Sequence, residues 1–293
     1  VPLSLSIKET LEQLYANRSQ QHLANDPLSF CHTYKTRQDQ EVAALIAAVF
    51  SYGAVKVIKG TLSRIFSIMG SSPSGFADSF EPVKHRQLLH GFKHRFNNED
   101  DLAALFLAIR QIRLQHGSIE QFFSQFHTTD ANTVEQALNA FSASIFGLDY
   151  TPLFGTNGLP EKSSFRFLFP SPVAGSACKR ICMFLRWMVR PADGIDLGLW
   201  KSVKPSQLII PVDKHIERIS QMLGLTLRHT PDWKMAKEIT SNLKLLDPLD
   251  PVKYDFSLCH LGISEGCSGR RGSTCSNCPV EPFCSPEIIG RRQ

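Results

Sequence analysis

Four of the chain's eight cysteines fall in one short window near its end, Cys267-x7-Cys275-x2-Cys278-x5-Cys284. The residues between them are mostly Gly, Ser, Asn, Pro and Arg. A loop that polar cannot hold itself by burial, so something must tie it down. Thiolates at this spacing can converge on one metal centre, and ligation by four cysteines suits an iron–sulfur cluster or a structural zinc. Ordinary buried cysteines, or two disulfides, are the plainer alternative. The uneven spacing departs from the paired CxxC of zinc ribbons and leans toward a cubane cluster.

Two other residues could carry a reaction. In Gly175-Ser176-Ala177-Cys178-Lys179-Arg180 a small-residue turn opens an apolar helix. Backbone N–H groups at such a helix start attract anions, and a DNA phosphate would fit there. The Lys179 amine lies within reach of whatever docks, although a routine turn with an exposed lysine would read the same. Asp213 follows a Pro-Val pair and starts the next helix, which makes it a natural N-cap. Held near the Lys179 turn, it could also stabilise a developing cation or move a proton. His215 reads as a packing or surface histidine.

The elements that must position these groups are helical nearly throughout. Leu5, Leu11, Leu14 and Tyr15 form the apolar stripe of a first helix. Asp39 can cap a second, through Val42, Leu45, Ile46, Val49 and Phe50, ending at Ser51-Tyr52-Gly53. A third runs from about Val55 to Met69 and stops at Gly70. An acidic turn after Asn98 opens another. Ser118 with Gln121, and Thr133 with Gln136, read as capping boxes. Residues 148–165 read as loop, and 190–210 as an irregular link. Thr230-Pro231 and Asp250-Pro251 each read as a cap followed by a helix-starting proline. Period-2 patterns are scarce, so the fold class is all-α. Two helical lobes with a cleft are expected. Residues 34–201 would form the central lobe, ending in the hairpin, and 1–33 with 202–293 the second. Trp187 reads as core, as do Cys31, Cys178, Cys182 and Cys259.

The 293 residues are 42% hydrophobic and 20% charged, which is globular and not disordered. No apolar run approaches membrane-spanning length, so a membrane partner is not expected. Val1-Pro-Leu-Ser-Leu-Ser lacks the basic start and sustained apolar stretch of a signal peptide. With reduced core cysteines, the expected compartment is the cytosol. The net charge of +5 is compatible with nucleic acid. Lysines and arginines crowd the middle region, from Lys162 to Arg218.

Three motifs occur in one order: a small-residue turn with Gly-x-Ala-x-Lys, then Pro-Val-Asp-x-His, then the four-cysteine loop. Together they resemble the helix-hairpin-helix DNA glycosylases related to endonuclease III and 8-oxoguanine glycosylase. The resemblance implies a two-lobed fold and lesion-bearing double-stranded DNA as partner. It makes Lys179 a Schiff-base nucleophile, Asp213 the catalytic carboxylate, and the reaction base removal with AP lyase activity. It places DNA contacts at Gly175, Ser176, Ala177, Arg180, Lys214, Arg270 and Arg271, and the base pocket near Tyr52. It makes Cys267, Cys275, Cys278 and Cys284 the ligands of a 4Fe–4S cluster, with zinc as the alternative. A monomer in the cytoplasm, associated with the nucleoid, is expected. A non-catalytic DNA-binding protein with the same fold is the second reading. Three runs, Gly175–Arg180, Phe184–Arg190 and Asp250–Asp255, more closely resemble an uncharacterised bacterial family, DUF2400. The chain departs from the glycosylases at Pro172–Ser176, where they carry Leu-Pro-Gly-Val-Gly. The interval from Lys179 to Asp213 is also longer, with 190–210 as an insertion.

Overall fold

The computed structural model describes residues 5–18, 22–155, 158–263, 266–269 and 272–285. The described residues are mostly helical, and the one sheet among them has two strands. None of their helices is long and apolar enough to cross a membrane. The chain separates into two compact units. A middle unit holds residues 25–174 and 199–203, and a terminal unit holds 1–24, 175–198 and 204–293. Residues 175–198, assigned by sequence to the central lobe, thus pack with the two ends of the chain. What draws them there is charge, described below.

The terminal unit opens with α1 (Leu5–Arg18), which buries Ile7, Leu11 and Leu14. The middle unit follows with α2 (Arg37–Val49), α3 (Val55–Met69), α4 (Pro73–Ser79) and α5 (Pro82–His85). A hairpin pairs β1 (Lys93–His94) with β2 (Asn97–Asn98). Then come α6 (Glu99–His116), α7 (Ile119–Ser124), α8 (Glu135–Phe146) and α9 (Thr151–Phe154). The last of these lies inside 148–165, a stretch that its Pro and Gly content made a loop.

α2 is the axis of the middle unit, with Val42 to Phe50 fully buried. Its polar residues are therefore committed to other helices. Asp39 does not cap α2; Thr36 does, accepting from the Asp39 N–H. The Asp39 carboxylate instead accepts from Ser72 Oγ, Ser74 N and Ser74 Oγ at the start of α4. Burial would raise its pKa, but the hydrogen bonds from Thr36, Ser74 and Ser72 outweigh that and hold it below the usual carboxylate range. Buried Glu41 accepts from Ile119 N, Glu120 N and, at 2.7 Å, from the Trp200 indole. Burial pushes its carboxyl up. α6 opens at the acidic turn as expected, and it carries a capping box: Asn98 accepts from the Asp100 and Asp101 N–H groups, and the Asp101 carboxylate accepts from the Asn98 N–H. Thr133 accepts only from the Glu135 N–H, and α8 starts after Val134 without a side-chain cap.

The terminal unit resumes with α10 (Lys179–Val189), α11 (Lys214–Met222), α12 (Trp233–Lys244) and α13 (Asp255–Ile263). α10 is buried on nearly every face, Trp187 included. It nevertheless carries Arg186 and Arg190, one turn apart and both almost inaccessible. Each guanidinium is matched by carboxylates. Arg186 bonds Asp196 at 3.1 Å and also Asp255. Arg190 bonds Asp250 at 3.0 and 3.1 Å, Asp193 at 3.1 Å, and Asp196. Tyr15 of α1 joins through its hydroxyl, 3.2 Å from Arg190. Burial works against the Arg190 charge, but the Asp196, Asp250 and Asp193 carboxylates outweigh it, so its pKa is raised. Asp255 is pushed up to about 6 by burial, partly offset by Arg186.

The network also corrects a sequence expectation. Asp250 is spent on Arg190 instead of capping a helix, so α13 begins only at Asp255. The first part of the 190–210 link folds back on α10, with Leu197 N donating to the Trp187 carbonyl at 2.8 Å. At the other proline signal, α12 is capped by Asp232, one residue past Pro231. Removing one partner from a buried, fully matched ion cluster strands the others. Arg190→Met should therefore cost about 3–5 kcal/mol of stability, measured by urea unfolding. A loss below about 1 kcal/mol would mean that the cluster does not tie α1, α10 and the Asp250 turn together.

Candidate active site

Asp213 does two jobs with two oxygens. Its Oδ1 accepts from the His215 and Ile216 N–H groups, 2.8 and 2.9 Å away, which caps α11 as the sequence implied. Its Oδ2 turns the other way. There it meets the Cys259 thiol of α13 at 3.4 Å and the Lys179 amine of α10 at 3.9 Å. Three helices of one unit thus converge on a single carboxylate oxygen. The Lys179 side chain is 34% exposed and that of Asp213 18%, so the pair is open to solvent on one side.

Local sequence explains how the three are placed. Ahead of α10 the chain makes two 3-10 turns, Ser164–Leu168 and Pro172–Ala174, and Gly175 then bends it at φ 78°. Ser176 bridges Asp232 in antiparallel fashion, and the Ser176 hydroxyl accepts from Cys178 N at 3.1 Å. Cys178 enters α10 at φ 50°, a left-handed conformation that a side chain rarely adopts. α11 and α13 meet with almost no space between them. A Cβ added to Gly262 would lie 2.8 Å from His215 Cγ. His215 is thus the packing residue that its position suggested. That close approach brings Cys259 onto Asp213. Burial, then the Asp213 and Asp255 carboxylates, raise the Cys259 thiol well above its ordinary value, so it is held as a proton donor.

A protonated thiol facing Oδ2 fixes the carboxylate's rotamer and leaves one lone-pair direction for the amine. This arrangement can take a proton from Lys179 or steady a positive charge that forms beside it. Cys259 was the residue missed, because a cysteine in an apolar helix reads as core. Its half-buried position one turn after Asp255 is the difference.

Of the other expected contacts, Gly175 and Lys214 are exposed, Ser176 is half-buried and Ala177 is buried. Arg180 is buried as well, since α10 leaves little of itself to solvent. Tyr52 lies in the middle unit, its ring against His94, Phe96 and Phe167. Arg270 and Arg271 fall outside the described residues.

The four-cysteine loop is pinned at its ends. Cys267 N donates to Leu261 O, Arg218 donates to Cys267 O, and Ser285 N donates to Met222 O. Between them run two 3-10 turns, Ser273–Asn277 and Glu281–Phe283, and Cys278 N closes onto Cys275 O at 3.0 Å. All four cysteines are half-buried. Their sulfur donors suit a cluster or zinc, but among the described residues no three metal-binding side chains are arranged around one point.

The α11–α13 contact can be tested directly. Gly262→Ala should destabilise the protein by about 1–3 kcal/mol through overpacking. Adding His215→Gly, which removes both the ring and the Cβ that would stand 2.9 Å away, should recover part of that loss in thermal melts. No recovery would mean that this contact does not set the helix spacing.

A search of curated proteins finds no match to the chain. A family model described as "Protein of unknown function (DUF2400)" matches residues 26–264. The match takes in Lys179, Asp213, Cys259 and the Arg186–Arg190 cluster, and it stops short of Cys267. Spanning most of the chain, it places this protein in the DUF2400 family.

Proposed function

We propose that this protein is a DNA glycosylase with AP lyase activity, acting through Lys179 and Asp213. The observation that carries the reading is the convergence on one site of an accessible primary amine and a carboxylate oxygen. The order of motifs resembling helix-hairpin-helix glycosylases supports it from the sequence side. The target nucleotide is taken out of the duplex, as any enzyme working on a base must arrange. Lys179 attacks C1′ as the free amine while the base leaves with the C1′–N bonding pair and is protonated by water, and Asp213 Oδ2 accepts the amine's proton. Asp213 returns that proton to O4′ as the C1′–O4′ bond opens, which leaves a protonated imine on the opened sugar. Water then takes a proton from C2′ and the C3′–O bond breaks, releasing the 3′ phosphate with its bonding pair. The Cys259 thiol keeps Oδ2 aimed at the amine. The DNA strand runs past the Gly175–Lys179 turn, and Lys214 offers a further phosphate contact.

Borohydride reduces such an imine to a stable cross-link, and a duplex with an abasic site presents the aldehyde without requiring the right lesion. The wild-type protein should cross-link and Lys179→Ala should not. Asp213→Asn keeps a capping oxygen but loses the charge, so it should fold normally while trapping about 100-fold less. If wild-type protein gives no cross-link on abasic or damaged duplexes, the lyase reading fails. Lys179-independent cross-linking would equally rule out the assigned nucleophile.

The cysteine loop is proposed to bind a 4Fe–4S cluster, with zinc as the alternative, and its donor set is what supports this. Protein purified without air should contain iron and acid-labile sulfide and show a visible absorbance band. Zinc alone would select the alternative, and no metal at all would overturn both.

A further inference from the structure

In the middle unit, and not in the terminal unit that holds Lys179, three aromatic rings form an exposed group. Phe96, at the tip of the β1–β2 hairpin, is 50% exposed, and Phe167 is 42% exposed. Their centroids are 4.6 Å apart, and Tyr52 completes the group at 5.6 Å from Phe96 and 5.0 Å from Phe167. Three segments separated by long stretches of chain therefore bring their rings to one surface.

The rings rest on a buried polar frame. The Tyr52 hydroxyl donates to the His94 carbonyl at 3.1 Å and also bonds the Asn97 side chain. His94 is 1% exposed and spans Thr61 Oγ1 and the Tyr52 carbonyl at 2.8 and 3.0 Å. Asn97, fully buried, donates to Asp101 and to the Ser164 carbonyl at 2.9 and 3.0 Å. Tyr52, the hairpin and the 164–168 turn are thus locked as one piece, which is unusual support for exposed apolar side chains. The hairpin's two-residue turn also holds Arg95 at φ 56°, a conformation that such turns normally give to Gly or Asn. Strain of this kind persists where the surrounding structure enforces it, often where a ligand binds.

Charge identifies the occupant. Lys93 and Arg95 are exposed on the hairpin, and Arg166 is exposed next to Phe167. The acids that follow are engaged elsewhere. Glu99 accepts from Gly91 N, Asp100 faces Arg86, and Asp101 is buried in the frame. Rigid exposed rings edged with cations are what unstacked nucleobases on an anionic backbone require. We infer that Tyr52, Phe96 and Phe167 form a platform on which bases of single-stranded nucleic acid stack, with Arg95 and Lys93 on the backbone. This extends the proposed function, resting on it only in taking nucleic acid as the ligand, and it requires no reaction at Lys179.

The test measures binding of the full-length protein to two fluorescein-labelled single strands by anisotropy. One carries bases, and the other has the same backbone with tetrahydrofuran in place of every nucleoside. Neither offers an aldehyde, so the outcome is independent of what the trapping experiment gives. Phe96→Ala with Phe167→Ala should weaken binding of the base-bearing strand by about tenfold or more and leave the base-less strand unchanged. Arg95→Ala should weaken both strands and flatten the salt dependence. The double Phe→Leu variant keeps apolar bulk without π faces, and it should lose binding as the alanine pair does. Wild-type affinity in the leucine pair, equal losses on both strands, or no wild-type binding of either strand would each overturn the platform.

Discussion

Two guanidinium groups one turn apart on a helix that water does not reach impose the strictest condition on this structure. Taking such charges out of water costs several kcal/mol each unless carboxylates meet them at close range. The terminal unit answers with Asp193, Asp196, Asp250 and Asp255, drawn from the loop after α10 and from the start of α13. Tyr15 adds α1 to the same cluster. Because α10 carries both arginines, satisfying them fixes its position relative to α13. Lys179 begins α10, and Cys259 lies one turn along α13 from Asp255. The amine and the thiol therefore reach Asp213 from helices already set against each other by charge.

Asp213 then shows how one side chain can serve both fold and chemistry. A cap needs only one carboxylate oxygen, so the second is available at no cost to the helix. The absence of a Cβ at Gly262 lets α13 come close enough for Cys259 to orient that second oxygen. Asp39 and Glu41 of the middle unit cap no helix of their own and work only across helices. Each begins α2 yet lends its carboxylate to the backbone at the start of another helix, α4 or α7.

Where a signal is local, the sequence reading and the structure coincide. α3 occupies Val55–Met69, and Ser118 and Asp213 cap the helices they precede. Misreadings arose where a residue with a local signature is claimed by a distant partner. Asp39 sits where a cap could be, but Ser72 and Ser74 bind it from a later helix. Asp250 precedes a proline, but Arg190, sixty residues earlier, bonds it. The pairing of Arg186 and Arg190 with aspartates leaves no periodic pattern, so the sequence shows the Phe184–Arg190 and Asp250–Asp255 runs without their purpose. Cys259 was hidden for a different reason: side-chain type does not reveal that a neighbouring helix carries a carboxylate. The ring cluster joins positions 52, 96 and 167, and no window of sequence contains them together.

The order in which the units can form follows from the way the chain is divided. Nearly all of the middle unit is one continuous segment, lacking only residues 199–203. The terminal unit is discontinuous, and α1 is completed by residues near the other end of the chain. Tyr254 bonds Glu12, and Ser257 bonds the Leu14 carbonyl, across more than 240 positions. On the ribosome, α1 is made before the middle unit but gains its partners after it, when the middle unit has had time to fold. Loop closure of that length is slow and leaves the apolar stripe of α1, Ile7, Leu11 and Leu14, exposed meanwhile. The nascent protein therefore passes through a stage with one finished half and one sticky, waiting helix, when chaperone capture would matter most.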